Sequence, residues 1–139
     1  MKLSIINTIA GVLAGIKINK ISDRAAKDEI SKTYLAVRKA LRPFERDRDD
    51  LVEKFRADWK DEIAAILAKD GGDHTACIKA QEDLNNTIVK MLEDGTADVA
   101  FTPVKADILY SPDLWFDNAT LGEIDKNIAF LVKHGVAEE

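Results

Sequence analysis

A single cysteine, Cys77, occurs in 139 residues. No intramolecular disulfide can form, and that usage points to a reducing compartment. Three prolines and seven glycines are too few for a disordered or linker-rich chain. A basic excess is also missing: 20 Lys and Arg stand against 25 Asp and Glu, a net charge of −5. Non-specific nucleic-acid binding needs a basic face that displaces counterions from phosphates, so this balance argues against it. Docking on an anionic membrane is disfavoured on the same ground. The chain has no long hydrophobic run either. Its longest uncharged stretch, LSIINTIAGVLAGI at 3–16, falls short of the roughly 20 residues that span a bilayer. As a signal peptide it would have only Lys2 as a basic region and no clear small-x-small cleavage site before Lys17. The expectation is instead an apolar helix buried at the centre of the fold.

What is present is ordinary for a globular protein: 46% apolar and 32% charged residues, enough for one domain over 1–139 with a modest core. Within 1–20, Leu3, Ile6, Ile9, Val12, Leu13 and Ile16 recur at helical spacing, and Gly11 and Gly15 permit close approach of a neighbouring backbone. Ser22 or Asp23 then suits the N-cap of a second helix. Along it lie Ile30, Tyr34, Val37, Leu41, Phe44, Leu51 and Phe55, with steps of 4, 3, 4, 3, 7 and 4, a heptad pattern. Trp59, Ile63 and Leu67 follow at fours, which resembles a stutter. The helix is expected to run to about Lys69, before Gly71-Gly72.

Pro43 stands in the middle of that stripe. It removes a backbone donor and pushes on the carbonyl of residue 39, at about 3 kcal/mol in an ideal helix interior. The apolar phase passes through it unchanged, so we read one bent helix with the missing bond on the solvent side. The alternative is a true break at Arg42, because a residue before proline avoids the helical region. A shorter antiparallel helix is expected over about 75–93, capped by Asp73, with Cys77, Leu84, Ile88, Met91 and Leu92 inside. At 1.5 Å per residue the two span roughly 70 and 30 Å, so they cannot cover each other. That mismatch points to self-association.

Past Gly95, ADVAFTPV alternates and reads as a short strand that Pro103 confines to an edge or an end. Its partner is either the 104–110 segment in a hairpin or the same strand of a second chain. Thr120-Leu121-Gly122-Glu123 fits a capping box opening a last helix, with Leu121, Ile124, Ile128 and Leu131 as its buried stripe and Gly135 as its stop. The expected fold class is thus mainly α. A 22–94 hairpin contains the long kinked helix, a 1–20 apolar helix precedes it, and 96–139 supplies a short β element and a C-terminal helix.

Candidate chemistry is sparse. His74 and Cys77 have ligand-like spacing, but a structural zinc site wants four Cys or His ligands and the chain holds only His74, His134 and Cys77. A Cys77–His74 nucleophile pair lacks a third orienting group nearby. Glu45, Asp49 and Glu53 line one helical face, yet Arg42, Arg46 and Arg48 are interleaved, and a solvated face laced with ion pairs accounts for it. Leu114-Trp115-Phe116 is the densest aromatic patch, suited to anchor a partner or to plug the core. No phosphate-cradling glycine motif and no nucleophile elbow appears. We expect neither enzymatic activity nor a metal or other cofactor.

Leu41-Arg42-Pro43-Phe44-Glu45, followed by LVEKF at 51–55, resembles a family of small, uncharacterised, mostly helical proteins encoded by tailed bacteriophages. Their pattern is a long helix with L-x-P-[FY]-E and L-x-x-[KR]-[FY] steps, a polar turn, a shorter helix, a β segment and a closing helix. Residues 75–94, 97–104 and Thr120-Leu121-Gly122-Glu123 correspond to the later parts. Family members usually turn soon after the aromatic matching Phe55, whereas this chain continues through WKDEIAAILAKD, so its hairpin tip is built differently. The resemblance transfers no catalytic residue. It implies phage origin and a role in the virion or in the infected cell's cytoplasm. The leading expectation is a non-enzymatic, self-associating virion component or assembly factor. Its interface would be the stripe Ile30, Tyr34, Val37, Leu41, Phe44, Leu51 and Phe55, with Trp115 and Phe116, and its partners itself and other phage proteins. The alternative is an inhibitor that binds a host or defence protein or sequesters a small ligand.

Overall fold

A computed structural model describes all 139 residues. The fold is mainly α, with helices α1 (Leu3–Ala14), α2 (Arg24–Asp58), α3 (Lys60–Leu67), α4 (Thr75–Asp94) and α5 (Leu121–Lys133) and two short strands, β1 (Val104–Lys105) and β2 (Ala137–Glu138). No helix is long and apolar enough to cross a membrane.

The first helix is amphipathic rather than enclosed. Ile6, Ile9, Ala10 and Leu13 are buried, whereas Asn7, Thr8, Gly11 and Ala14 face solvent. It lies mainly along the N-terminal half of α2 and touches the end of α4. Gly11 admits no close neighbour; Gly15 does, lying beside the Trp115 ring. Backbone bonds fasten both ends of this segment. The Leu3 amide donates to the Gly95 carbonyl at 2.9 Å, and the Phe116 amide donates to the Gly15 carbonyl at 3.1 Å.

Helix α2 begins where Asp23 accepts a hydrogen bond from the Ala26 amide at 3.0 Å, the side-chain cap that satisfies an orphan donor of the first turn. Its 35 residues run unbroken through Pro43. Pro43 and Lys39 are both exposed, so water can reach the carbonyl that lost its partner, while Leu41 and Phe44 stay in the core. The rod ends earlier than its periodicity implies. At Trp59 the backbone leaves helical geometry (φ −115°, ψ 22°), and α3 starts one residue later. Backbone bonds from the Trp59 amide to the Phe55 carbonyl and from the Ile63 amide to the Trp59 carbonyl persist, so the stutter is a joint rather than a turn. The unbroken helix is therefore roughly 52 Å long, against roughly 30 Å for α4.

The segment expected to be a strand is corrected. Residues 97–103 form no strand, with Val99 and Phe101 half-buried on the core; Ala97 exchanges backbone bonds with Met1, and Val104–Lys105 alone pairs as a strand. Its partner is the chain's own β2, in parallel, with Val104 opposite Ala137 and Lys105 opposite Glu138. A hairpin with 104–110 does not form, because Ala106–Tyr110 is a 3₁₀ turn. Parallel pairing requires a crossover, which α5 supplies. Thr120 and Glu123 cap α5 reciprocally, and Gly135 reverses the chain with φ +79° so that β2 meets β1. Ile124, Ile128 and Leu131 are buried, but Leu121 is 73% exposed, since the first helical position points away from the core here.

One cluster of twenty buried residues unites α1, the N-terminal half of α2, the 104–115 segment, α5 and β2. No buried side-chain polar atom lacks a partner.

Candidate functional site

The core stops at Phe44. Between Glu45 and Pro103 the one buried residue is Cys77. The distal part of α2, α3 and the N-terminal part of α4 thus form an arm whose apolar side chains, Cys77 apart, are only partly buried, with Ile66, Leu67 and Ile78 exposed. A helix pair that buries so little has weak tertiary support, and most helical stability in proteins comes from packing an apolar face.

Within this arm lies an open cleft of about 600 Å³. Val52 and Phe55 from α2, Ile63, Ile66 and Leu67 from α3, and Leu84 from α4 form its apolar lining, with Cys77 beside them. Arg56, Lys60, Gln81 and Asn85 supply the polar edge. The lining holds no carboxylate and no histidine. The joint at Trp59 separates α2 from α3, and Ile63 and Ile66 beyond it share the cleft with Leu84 of α4.

The tip is closed by a polar knot. Thr75 donates from both its amide (3.0 Å) and its hydroxyl (2.6 Å) to Asp73, which holds that carboxyl below its ordinary range. The His74 ring has Nδ1 2.6 Å from a Glu62 oxygen and Nε2 3.0 Å from the Asp70 carbonyl. The Glu62 contact, followed by the Asp70 carbonyl, raises the His74 pKa above the usual 6.5. Both ring nitrogens are thereby taken, so His74 is not oriented as a base toward Cys77.

The nine residues expected at an interface separate into groups. Ile30, Val37, Leu41 and Phe44 are 0–6% exposed inside the chain's own core, and Tyr34 is half-buried against it. They are corrected from interface to core, because α1 covers the stripe that the helix-length argument left bare. Leu51 and Phe55 lie on the arm, and Phe55 lines the cleft. Trp115 is also core: it is 3% exposed, and its indole N–H donates to the Leu109 carbonyl at 2.8 Å. Phe116 is 55% exposed and stands apart from the cleft, with the Lys17 ammonium 5.8 Å from its ring centre. The acidic ridge on α2 is ion-paired, though not at the i,i+4 spacing. Arg38 reaches two turns along to Glu45 at 2.9 Å, across the proline, and Arg48 lies 3.1 Å from Asp49. Val52 and Ile66 were missed by the heptad reading, and Ile63 was placed on the stripe without being assigned to a site. The four-residue steps Trp59, Ile63 and Leu67 were the available signal, since a change of step marks where a helix alters its packing face.

The fold and cleft together define a mainly α protein with a compact core and a projecting, incompletely packed helical arm. No protein-family profile, curated protein or solved structure matches the chain.

Proposed function

We propose that this is a non-enzymatic protein of a tailed bacteriophage that self-associates through the arm, as a virion component or assembly factor in the virion or the infected host's cytoplasm. One observation carries the self-association: from Glu45 to Pro103 the chain buries only Cys77, while Val52, Phe55, Ile63, Ile66, Leu67 and Leu84 converge on an open apolar cleft. Contiguous exposed apolar surface on a soluble domain favours a partner. A second copy supplies a matching surface at no cost in specificity, because an isologous interface pairs a patch with itself. The phage assignment rests on the resemblance carried by Leu41-Arg42-Pro43-Phe44-Glu45 and LVEKF. The contact proposed is the distal arm, since Ile30, Val37, Leu41 and Phe44 are buried within the single chain.

Sedimentation and light scattering across micromolar concentrations test the association. The wild type is expected to form a dimer or larger species, and Ile66→Glu with Leu67→Glu to give a monomer of unchanged helicity, both positions being exposed in the single chain. A wild type that stays monomeric throughout overturns the proposal. Mass spectrometry of purified particles then separates a virion component from a factor left in the lysate. The second reading, sequestration of a small ligand, has its own support in cleft size: about 600 Å³ lies within the range of small-molecule sites, and Arg56 and Lys60 flank the apolar lining. An acidic, largely apolar ligand would fit. It predicts thermal stabilisation of a monomer by such ligands.

A further inference from the structure

Helix α3 forms one wall of the cleft but has no buried residue of its own. At its start it is tied to α2 through the Trp59 joint, and its end runs into the 68–74 loop. One side-chain hydrogen bond joins it to the residues leading into α4: Glu62 to His74 at 2.6 Å. The opposite ring nitrogen meets the Asp70 carbonyl at 3.0 Å. A carboxylate and a carbonyl only accept hydrogen bonds, and a neutral imidazole carries one N–H. Only the doubly protonated ring makes both bonds at once.

We propose that His74 is a proton-dependent latch that fixes α3 as the wall of the apolar cleft, so that the arm's binding surface is formed when the ring is charged and loosened when it is neutral. This rests on the arm being the association surface. Three charged groups face the ring: Glu62 from α3, and Asp70 and Asp73 from the loop before α4. All three favour the imidazolium. Imidazole ordinarily titrates near pH ~6.5 and this ring above it, so its charge is lost on the alkaline side of that value. The sign follows from linkage. The folded ring holds its proton more tightly than the unfolded one, so its contribution is fully present below about pH 6.5 and is lost as pH rises through the higher folded value. A rigid wall lowers the ordering cost of binding, so association strengthens toward the acid end.

Amide hydrogen exchange of the full chain, diluted to its monomer and corrected for intrinsic pH dependence, reads the latch directly. Protection over residues 60–67 is expected to fall at least about threefold from pH 5.5 to 8.5, with α1 unchanged. His74→Gln, which keeps one donor and no titration, should abolish that pH response, and Glu62→Gln, which removes the charged acceptor, should weaken it. Equal wild-type protection at both pH values overturns the latch, as does a His74→Gln variant that still responds. A pH-dependent wall in a protein that light scattering finds monomeric at every concentration upholds the latch and overturns association. A pH-independent wall in an associating protein does the reverse.

Discussion

Ile30 and Ile66 are the same side chain in the same kind of helix, and their surroundings give them opposite roles. Ile30 is 1% exposed beneath α1, whereas Ile66 is 36% exposed in the cleft. Truncating a fully buried Ile removes transfer free energy and leaves a cavity, so Ile30→Ala is expected to cost about 2–5 kcal/mol in urea unfolding, independent of protein concentration. Ile66→Ala in the dilute monomer should cost under about 1 kcal/mol and should instead weaken association. If Ile30→Ala were nearly silent in the monomer, the stripe would not be core. Periodicity marks both positions as apolar-face residues without saying which element, if any, lies on them.

Pro43 lies in the interior of α2. The helix carries it at a position where Lys39 and Pro43 are both exposed residues, and Arg38 pairs with Glu45 across the defect. Pro43→Ala restores one donor and relieves the clash, against a full interior penalty of about 3 kcal/mol. The variant's unfolded chain also gains about 0.4–1 kcal/mol of conformational freedom. The net expectation is a stabilisation of at most about 2 kcal/mol, read as a higher urea midpoint with an unchanged slope; a destabilised variant would mean that the proline is required for packing. The continuity of α2 was legible because a true break has no reason to keep Leu41 and Phe44 in phase. The joint at Trp59 was legible only as a change of step. Its angle depends on how α3 settles against α4, which lies in no local pattern. The misplaced strand has a similar cause: VAFTPV alternates because Val99 and Phe101 pack one side onto the core, which an irregular segment does as readily as a strand.

Across the whole molecule stability is divided. The twenty-residue core ties α1, the first half of α2, α5 and the 104–115 segment into one unit, and the arm beyond Phe44 hangs from it. Amides of α1 and α5 are therefore expected to exchange only through global opening, of order 5–15 kcal/mol, and amides from 60 to 72 through local openings of a few kcal/mol. Uniform protection would show that the arm is packed as firmly as the core. An arm of low intrinsic stability is suited to binding, since a partner completes it and a single protonated histidine suffices to bias its shape.

By itself the sequence determined the local features: the helical segments and most of their ends, the Asp23 and Thr120 caps, the stop at Gly135, passage through Pro43, and the mainly α class. Each of these is set by contacts within a few residues. Tertiary structure alone decided which part of the long stripe is buried. Residues 3–16 fold back onto Ile30–Leu41, and the C-terminal strand returns across α5 to Val104. Those pairings join positions far apart in the chain, and an apolar pattern records that a face must be covered without recording what covers it.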